Sequence, residues 1–315
     1  MKSFIFTLLI LLVQPLCITA NNHGYSKTRM ETKLADVTPD ADSKKILVIL
    51  PLPHMSYSHF LQMSILSKGL AEKGHQVDIL GNSQAKEFPI VKEFGSTHAF
   101  WYEVSDPDKM DRFVEHVTGS AIKDGPGLGG LRMFSQMISA VFEECQELFS
   151  MSALMSELKV EKYDLVVTNL FFPCEAFIAR FLDVDFVAVT TSRGYPFMSR
   201  NIFGFPSEMA YVPELFLGLT DSMSFVERIQ NVFVRFLNRN VIPLVILRDY
   251  KKIQIEHTID VGSDVQDVMG KALLWISYSD LSLEFPEPTM PNFVRSGGMA
   301  VTKAKPLEKV GSYTI

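Results

Sequence analysis

The stretch Lys45–Leu80, KILVILPLPHMSYSHFLQMSILSKGLAEKGHQVDIL, decides the fold. Ile46 to Leu50 is an unbroken apolar run with β-branched residues, which predicts a strand buried on both faces, as a parallel sheet requires. Behind it Leu61, Ile65, Leu66 and Leu70 recur near helical spacing, and Gly74 suits a left-handed cap. Gln76 to Leu80 then reads as a second strand. A strand, loop, helix and strand in this order open an α/β sheet and set the imidazole of His59 where the helix begins, at the carboxyl end of the first strand. Open α/β sheets bind their ligands at that edge.

The pattern repeats outward. Phe100 to Val104 reads as a third strand and Leu131 to Leu158 as a helix. Asp164–Thr168 and Phe186–Thr190 flank a helix around Glu175 to Phe181, a second βαβ unit, and Leu273–Ser277 returns late to the sheet. The fold class expected is α/β, a doubly wound Rossmann-like parallel sheet; fewer than eight strand-helix units argue against a barrel. Asp106–Gly130 and Arg193–Asp221 read as long loops over the sheet edge, where binding pockets are built. Between Phe225 and Tyr250, Phe225, Ile229, Val232 and Phe236 form one helical stripe and Arg228, Arg235 and Arg239 another, with Pro243 expected to kink or end the helix. That helix fits either an ordinary amphipathic core helix or one lying on a membrane surface.

Composition bounds the class. The chain has 315 residues, 47% apolar and 21% charged, which predicts an ordered core. A net charge of -6 offers no basic field and disfavours nucleic acid as a partner. Met1-Lys2, the apolar run Phe4–Cys17 and Ile18-Thr19-Ala20 have the layout of a signal peptide over residues 1–20; the run is short for a membrane span, although bulky Ile18 leaves an uncleaved anchor open. Residues 21–43 are polar and without periodicity, and read as a flexible leader. Beyond the signal segment only Cys145 and Cys174 remain, and spacing does not decide whether they pair.

Few side chains carry chemistry. A neutral imidazole can take a proton from a hydroxyl as general base, and His59 stands where a bound molecule would lie, although a histidine at a helix start is also a common capping or surface residue. His54, five positions upstream, is its local competitor and reads as a loop residue. Asn169, at the end of the Asp164–Thr168 strand, reads from its position as a strand-end turn former. Gly125-Pro126-Gly127-Leu128-Gly129-Gly130 matches G-x-G-x-x-G, but it follows a polar stretch instead of the first strand, which opposes dinucleotide binding. No Cys/His cluster has metal-site spacing, so no metal and no resident cofactor are expected.

Three segments together carry a resemblance. Ser58-His59-Phe60 with Gly74-His75, Tyr163–Val189 (YDLVVTNLFFPCEAFIARFLDVDFVAV) and Ser279–Gly298 (SDLSLEFPEPTMPNFVRSGG) are similar to the amino-terminal, acceptor-binding half of the UDP-glycosyltransferases, the UDP-glucuronosyltransferase and UDP-glucosyltransferase family. The resemblance spans about Lys44 to Leu307, and implies the amino-terminal domain of a GT-B glycosyltransferase, with residues 308–315 a short tail and the donor domain absent. It implies transfer of a hexosyl or glucuronosyl group from a UDP-sugar, a co-substrate held mainly by the missing domain, to a small lipophilic hydroxyl or acid acceptor, with His59 as base. The resemblance implies an aspartate that holds and charges the histidine in many relatives where this chain has Asn169, whose amide oxygen would accept the Nδ1 proton and set the tautomer without supplying the charge. The alternative it leaves open is a non-catalytic acceptor-binding or regulatory truncated isoform that pairs with itself or with full-length relatives. The expected location is the endoplasmic reticulum lumen or membrane.

Overall fold

A computed structural model describes residues 24–30, 42–51, 57–108, 112, 140–170, 172–190 and, with short gaps, 202–303. The signal segment, residues 21–23 and 31–41 of the leader, His54, the glycine motif at 125–130 and the tail 308–315 lie outside the described residues.

Among the described residues eight strands form one sheet: β1 (Tyr25–Arg29), β2 (Lys45–Ile49), β3 (Gln76–Asn82), β4 (His98–Tyr102), β5 (Leu165–Thr168), β6 (Phe186–Thr190), β7 (Leu274–Ser277) and β8 (Phe293–Arg295). Their order is β1-β4-β3-β2-β5-β6-β7-β8, parallel throughout except for β1 against β4. The chain thus winds outward from β2 to β4, returns to place β5 beside β2, and winds the other way to β8. This is the doubly wound α/β sheet expected. Its reversal of strand order falls between β2 and β5, where the diverging connections leave a crevice at the carboxyl ends.

Alternation along the strands feeds two apolar layers. Leu47 and Ile49 of β2 join Leu80, Phe100, Val166 and Trp275 on one side; Ile46 and Val48 join Val77, Ile79, Val167 and Val189 on the other. The first layer is covered by helical residues 140–150, α2 (Ser152–Val160), α3 (Pro173–Phe181), α5 (Arg248–Glu256) and α6 (Val265–Gly270); the second by α1 (Tyr57–Glu72). Gly74 ends α1 with φ 86°, the left-handed conformation expected of it.

Four features depart from the sequence reading. Residues 25–29, expected within a flexible leader, form the edge strand β1: Tyr25 donates to Glu157 at 2.7 Å and Trp101 Nε1 donates to Thr28 at 2.8 Å. An edge strand carries few apolar residues, so periodicity misses it. β4 starts two residues earlier than expected because its register places Asp78 opposite His98. The helix expected over Leu131–Leu158 is, in its described part, two pieces, broken where Met151 leaves helical backbone at ψ 69°. Not a departure but a question the spacing left open, Cys145 and Cys174 form a disulfide that ties helical residues 140–150 to the first turn of α3.

The fourth departure is α4 (Phe225–Asn240). Asn231 and Arg235 are its buried residues, while Phe225, Ile229, Val232 and Phe236 are exposed, so the core-helix reading of the apolar stripe is not the one realised. Pro243 lies beyond the helix end, as expected.

Candidate active site

Two strand ends meet at the reversal. β2 leads into α1, whose third residue is His59, and β5 ends at Thr168, immediately before Asn169. Adjacent parallel strands end at one edge, and the two side chains converge across 110 residues of sequence: His59 Nδ1 lies 2.6 Å from Asn169 Oδ1. An amide oxygen only accepts, so the imidazole donates from Nδ1–H and its Nε2 keeps a lone pair able to receive a proton. Asn169 is itself buried and is aligned by its Nδ2, which donates to the carbonyl of Val189 at 3.4 Å. That bond points the amide oxygen at the histidine.

The electrostatics suit a base. Burial lowers the His59 pKa below its ordinary value, while the hydrogen bond to Asn169 partly opposes the shift. The imidazole is therefore neutral at pH 7, the form that accepts a proton. Asn169 fixes its tautomer but supplies no negative charge to steady an imidazolium.

A second polar group lies on the same edge and was not legible in the sequence. At the end of β3 Asn82 donates to Glu144 Oε1 at 3.0 Å, and from the end of β4 Tyr102 donates to the same oxygen at 2.8 Å. Nearby, in the first turn of α3, burial and the charge of Glu144 push the Glu175 carboxyl up to about 8. Its Oε2 and the hydroxyl of fully buried Tyr250 have no hydrogen-bond partner among the described residues. Tyr250 packs edge-on against Phe142 and Phe177, at 5.2 and 6.2 Å between ring centres. Glu175 is thus a neutral acid at pH 7.

The polar cluster around Asp78 has a different place. Asp78 faces Lys45, His98 and Tyr163 near the beginnings of β2, β3 and β4, the opposite edge from His59, and serves the packing of the sheet. Among the described residues no group of three or more His, Cys, Asp or Glu could hold a metal ion, and no helix is long and apolar enough to cross a membrane.

Comparison with known proteins identifies the family. The family model described as "UDP-glucoronosyl and UDP-glucosyl transferase" matches residues 44–313. UDP-glucuronosyltransferase 2B7 of Rattus norvegicus is 27% identical over 262 residues, covering 81% of this chain and 49% of that protein. The 2-hydroxyacylsphingosine 1-beta-galactosyltransferase of Rattus norvegicus is 27% identical over 278 residues, covering 85% and 47%. Among solved structures, the glycotransferase of kitacinnamycin aligns with a TM-score of 0.47 at 12% identity, covering 86% of this chain and 55% of its own. The chain spans about half the length of the curated relatives it matches. With the family model running from before β2 to beyond β8, the chain belongs to the UDP-glucoronosyl and UDP-glucosyl transferase family.

Proposed function

We propose that this chain is the acceptor-binding part of a UDP-glycosyltransferase and that His59 is its general base. The observation that carries the reading is the 2.6 Å contact of His59 with Asn169 at the crevice where the strand order reverses. An acceptor hydroxyl placed at Nε2 loses its proton as its oxygen attacks the anomeric carbon of the sugar; the bond to the UDP oxygen breaks, and UDP leaves with the electron pair. Acceptors are small lipophilic alcohols, phenols or acids, and the transferred group is hexosyl or glucuronosyl. Residues 44–307 form the acceptor domain in this reading, and UDP-sugar binding depends on a donor domain that the family supplies.

The Cys145–Cys174 disulfide supports a secretory location, the endoplasmic reticulum lumen or membrane, because such bonds persist in oxidising compartments. Pairing with itself or with longer family members is the corresponding proposal for partners. Calorimetry of the chain tests the division of labour: phenols or alcohols should give heat, and UDP-glucose and UDP-glucuronate none below millimolar concentration. Joined to the donor half of a family relative, the protein should yield glycosylated acceptor by mass spectrometry. Acceptor binding without product in the joined protein would favour a non-catalytic acceptor-holding module.

A further inference from the structure

The acids at the carboxyl edge of the sheet take no part in the proton transfer proposed for His59. Their cluster is drawn from five elements: Asn82 ends β3, Tyr102 ends β4, Glu144 lies in helical residues 140–150, Glu175 in the first turn of α3 and Tyr250 in α5. Asn82 and Tyr102 donate to the same oxygen of Glu144, at 3.0 and 2.8 Å, and so hold that carboxyl in one orientation. Glu144 and Glu175 are half-buried, so the cluster meets solvent, whereas Tyr250 is fully buried behind it.

Two oxygens of the cluster are left open. Glu175 Oε2 and the Tyr250 hydroxyl are buried and have no hydrogen-bond partner among the described residues. Folded chains seldom leave such atoms bare, because each one costs stability. Burial, and after it the charges of Glu175 and Glu144, raise the pKa of the Tyr250 hydroxyl, so its open oxygen faces both acids. Burial is also the largest influence on Tyr102 and Glu175, and the charges that add to it come from Glu144, Glu147 and Glu175. Glu147 turns away to accept from the backbone N–H and the hydroxyl of Ser105. The charged groups that face the open oxygens are therefore acids.

We infer that this cluster seats the ammonium group of a small amphiphilic amine between Glu144, Glu175 and the Tyr250 hydroxyl. An ammonium has three N–H donors and no acceptor, which matches three oxygens. An anionic ligand would add like charge to the acids, and a neutral hydroxyl would give Glu175 no reason to ionise. A metal ion suits the cluster less, since no group of three or more His, Cys, Asp or Glu among the described residues could hold one. Phe142 and Phe177 lie edge-on to Tyr250, with ring centres 5.2 and 6.2 Å away, and supply apolar and cation-π contact for the rest of the ligand. The amine is an anchor and does not react. That its carrier is an acceptor, with a hydroxyl reaching His59, rests on the function proposed above; that the cluster binds an amine does not. Seating the cation expels to solvent the proton that Glu175 holds up to a pH of about 8 in the chain alone.

Calorimetry of the chain with 2-phenylethylamine and with 2-phenylethanol, its neutral counterpart, tests the inference. The amine should bind at least about 10-fold more tightly than the alcohol. Its affinity should rise by up to about tenfold per pH unit between about pH 6 and 8, as the proton of Glu175 becomes easier to release. Titrations at pH 7 in buffers of different ionisation enthalpy should show about one proton released per amine bound. In Glu175→Gln the proton release and the pH dependence should both vanish, and at pH 8 amine affinity should fall at least about 10-fold while the alcohol binds as before. Should that variant fail to fold, the buffer series on the unaltered chain decides alone. No heat with the amine, equal binding of amine and alcohol, or amine binding without proton release overturns the inference and leaves the two open oxygens to a buried water. A protein joined to a donor half that glycosylates phenols but releases no proton with the amine loses the seat and keeps the acceptor reading. One that binds the amine with proton release and yields no product keeps the seat and loses that reading.

Discussion

His59 and Asn169, held by different strand ends, meet at 2.6 Å, and the amide that orients the imidazole carries no charge. A neutral orienting partner leaves burial as the dominant influence on the histidine, which lowers its pKa. Replacing Asn169 by Asp should reverse that direction. We expect Asn169→Asp to raise the His59 pKa, read from the imidazole nitrogen shifts in an NMR titration. In a catalytically complete protein the acidic limb of the pH-rate profile should move upward with it, because the neutral base would then form only at higher pH. A titration identical to that of the unaltered chain would remove Asn169 from the role assigned to it.

Glu175 gives a prediction of opposite sign. Its carboxyl is raised to about 8 in the folded chain from an ordinary 4.5. Between those values the folded state holds a proton that the unfolded state has released, so this group's contribution to stability falls as pH rises from about 4.5 to about 8. Glu175→Gln, which keeps the shape without the charge, should therefore stabilise the protein at pH 9 by on the order of 2 kcal/mol, a figure kept below the full shift because part of the side chain meets solvent. At pH 4 the two proteins should be nearly equal. Urea unfolding at both values checks this, and a pH-independent difference would place the carboxyl in water.

The disulfide should be structural. Cys145 and Cys174 are 29 residues apart and join helical residues 140–150 to α3. Cys145→Ala with Cys174→Ala should lower stability by about 2–4 kcal/mol, the range typical of closing a loop of this size. Denaturant unfolding with and without reductant measures it, and reductant should shift only the unaltered protein.

Asn231→Ala should loosen the attachment of α4. It removes three hydrogen bonds to the backbone at residues 209, 212 and 214, and should cost about 1–3 kcal/mol. Hydrogen exchange should quicken at the amide of Glu214, whose acceptor is lost, before it does so in the sheet. Uniform exchange across both would mean that the segment is not held through this residue.

What could be read in advance follows from which physical signal each part carries. β2, β3, β5 and β6 are short and largely buried on both faces, so their apolar runs announce themselves, and half-buried β7 still carries an apolar run of its own. β1 does not, because an edge strand held by Tyr25, Lys27 and Thr28 side chains needs no apolar alternation. For α4 the helical period states which residues share a face but not which face turns inward, and here Asn231 and Arg235 do. His59 stood out by its place at the first strand end; its pairing with Asn169 came only through the resemblance, since no local pattern links residues 110 apart. Glu144 and Glu175 were invisible for a related reason: an acid in the first turn of a helix is usually a solvated cap, and only the tertiary fold desolvates the half-buried Glu175 beside Glu144.

The most direct test of the account is the turnover of His59→Ala in the protein joined to a family donor half. The base takes its proton only as the acceptor attacks, so kcat should fall at least about 100-fold while the acceptor KM stays within a few-fold. Circular dichroism should match the unaltered protein. A folded His59→Ala protein that turns over a hydroxyl acceptor at the original kcat would contradict the assignment of His59 as the base.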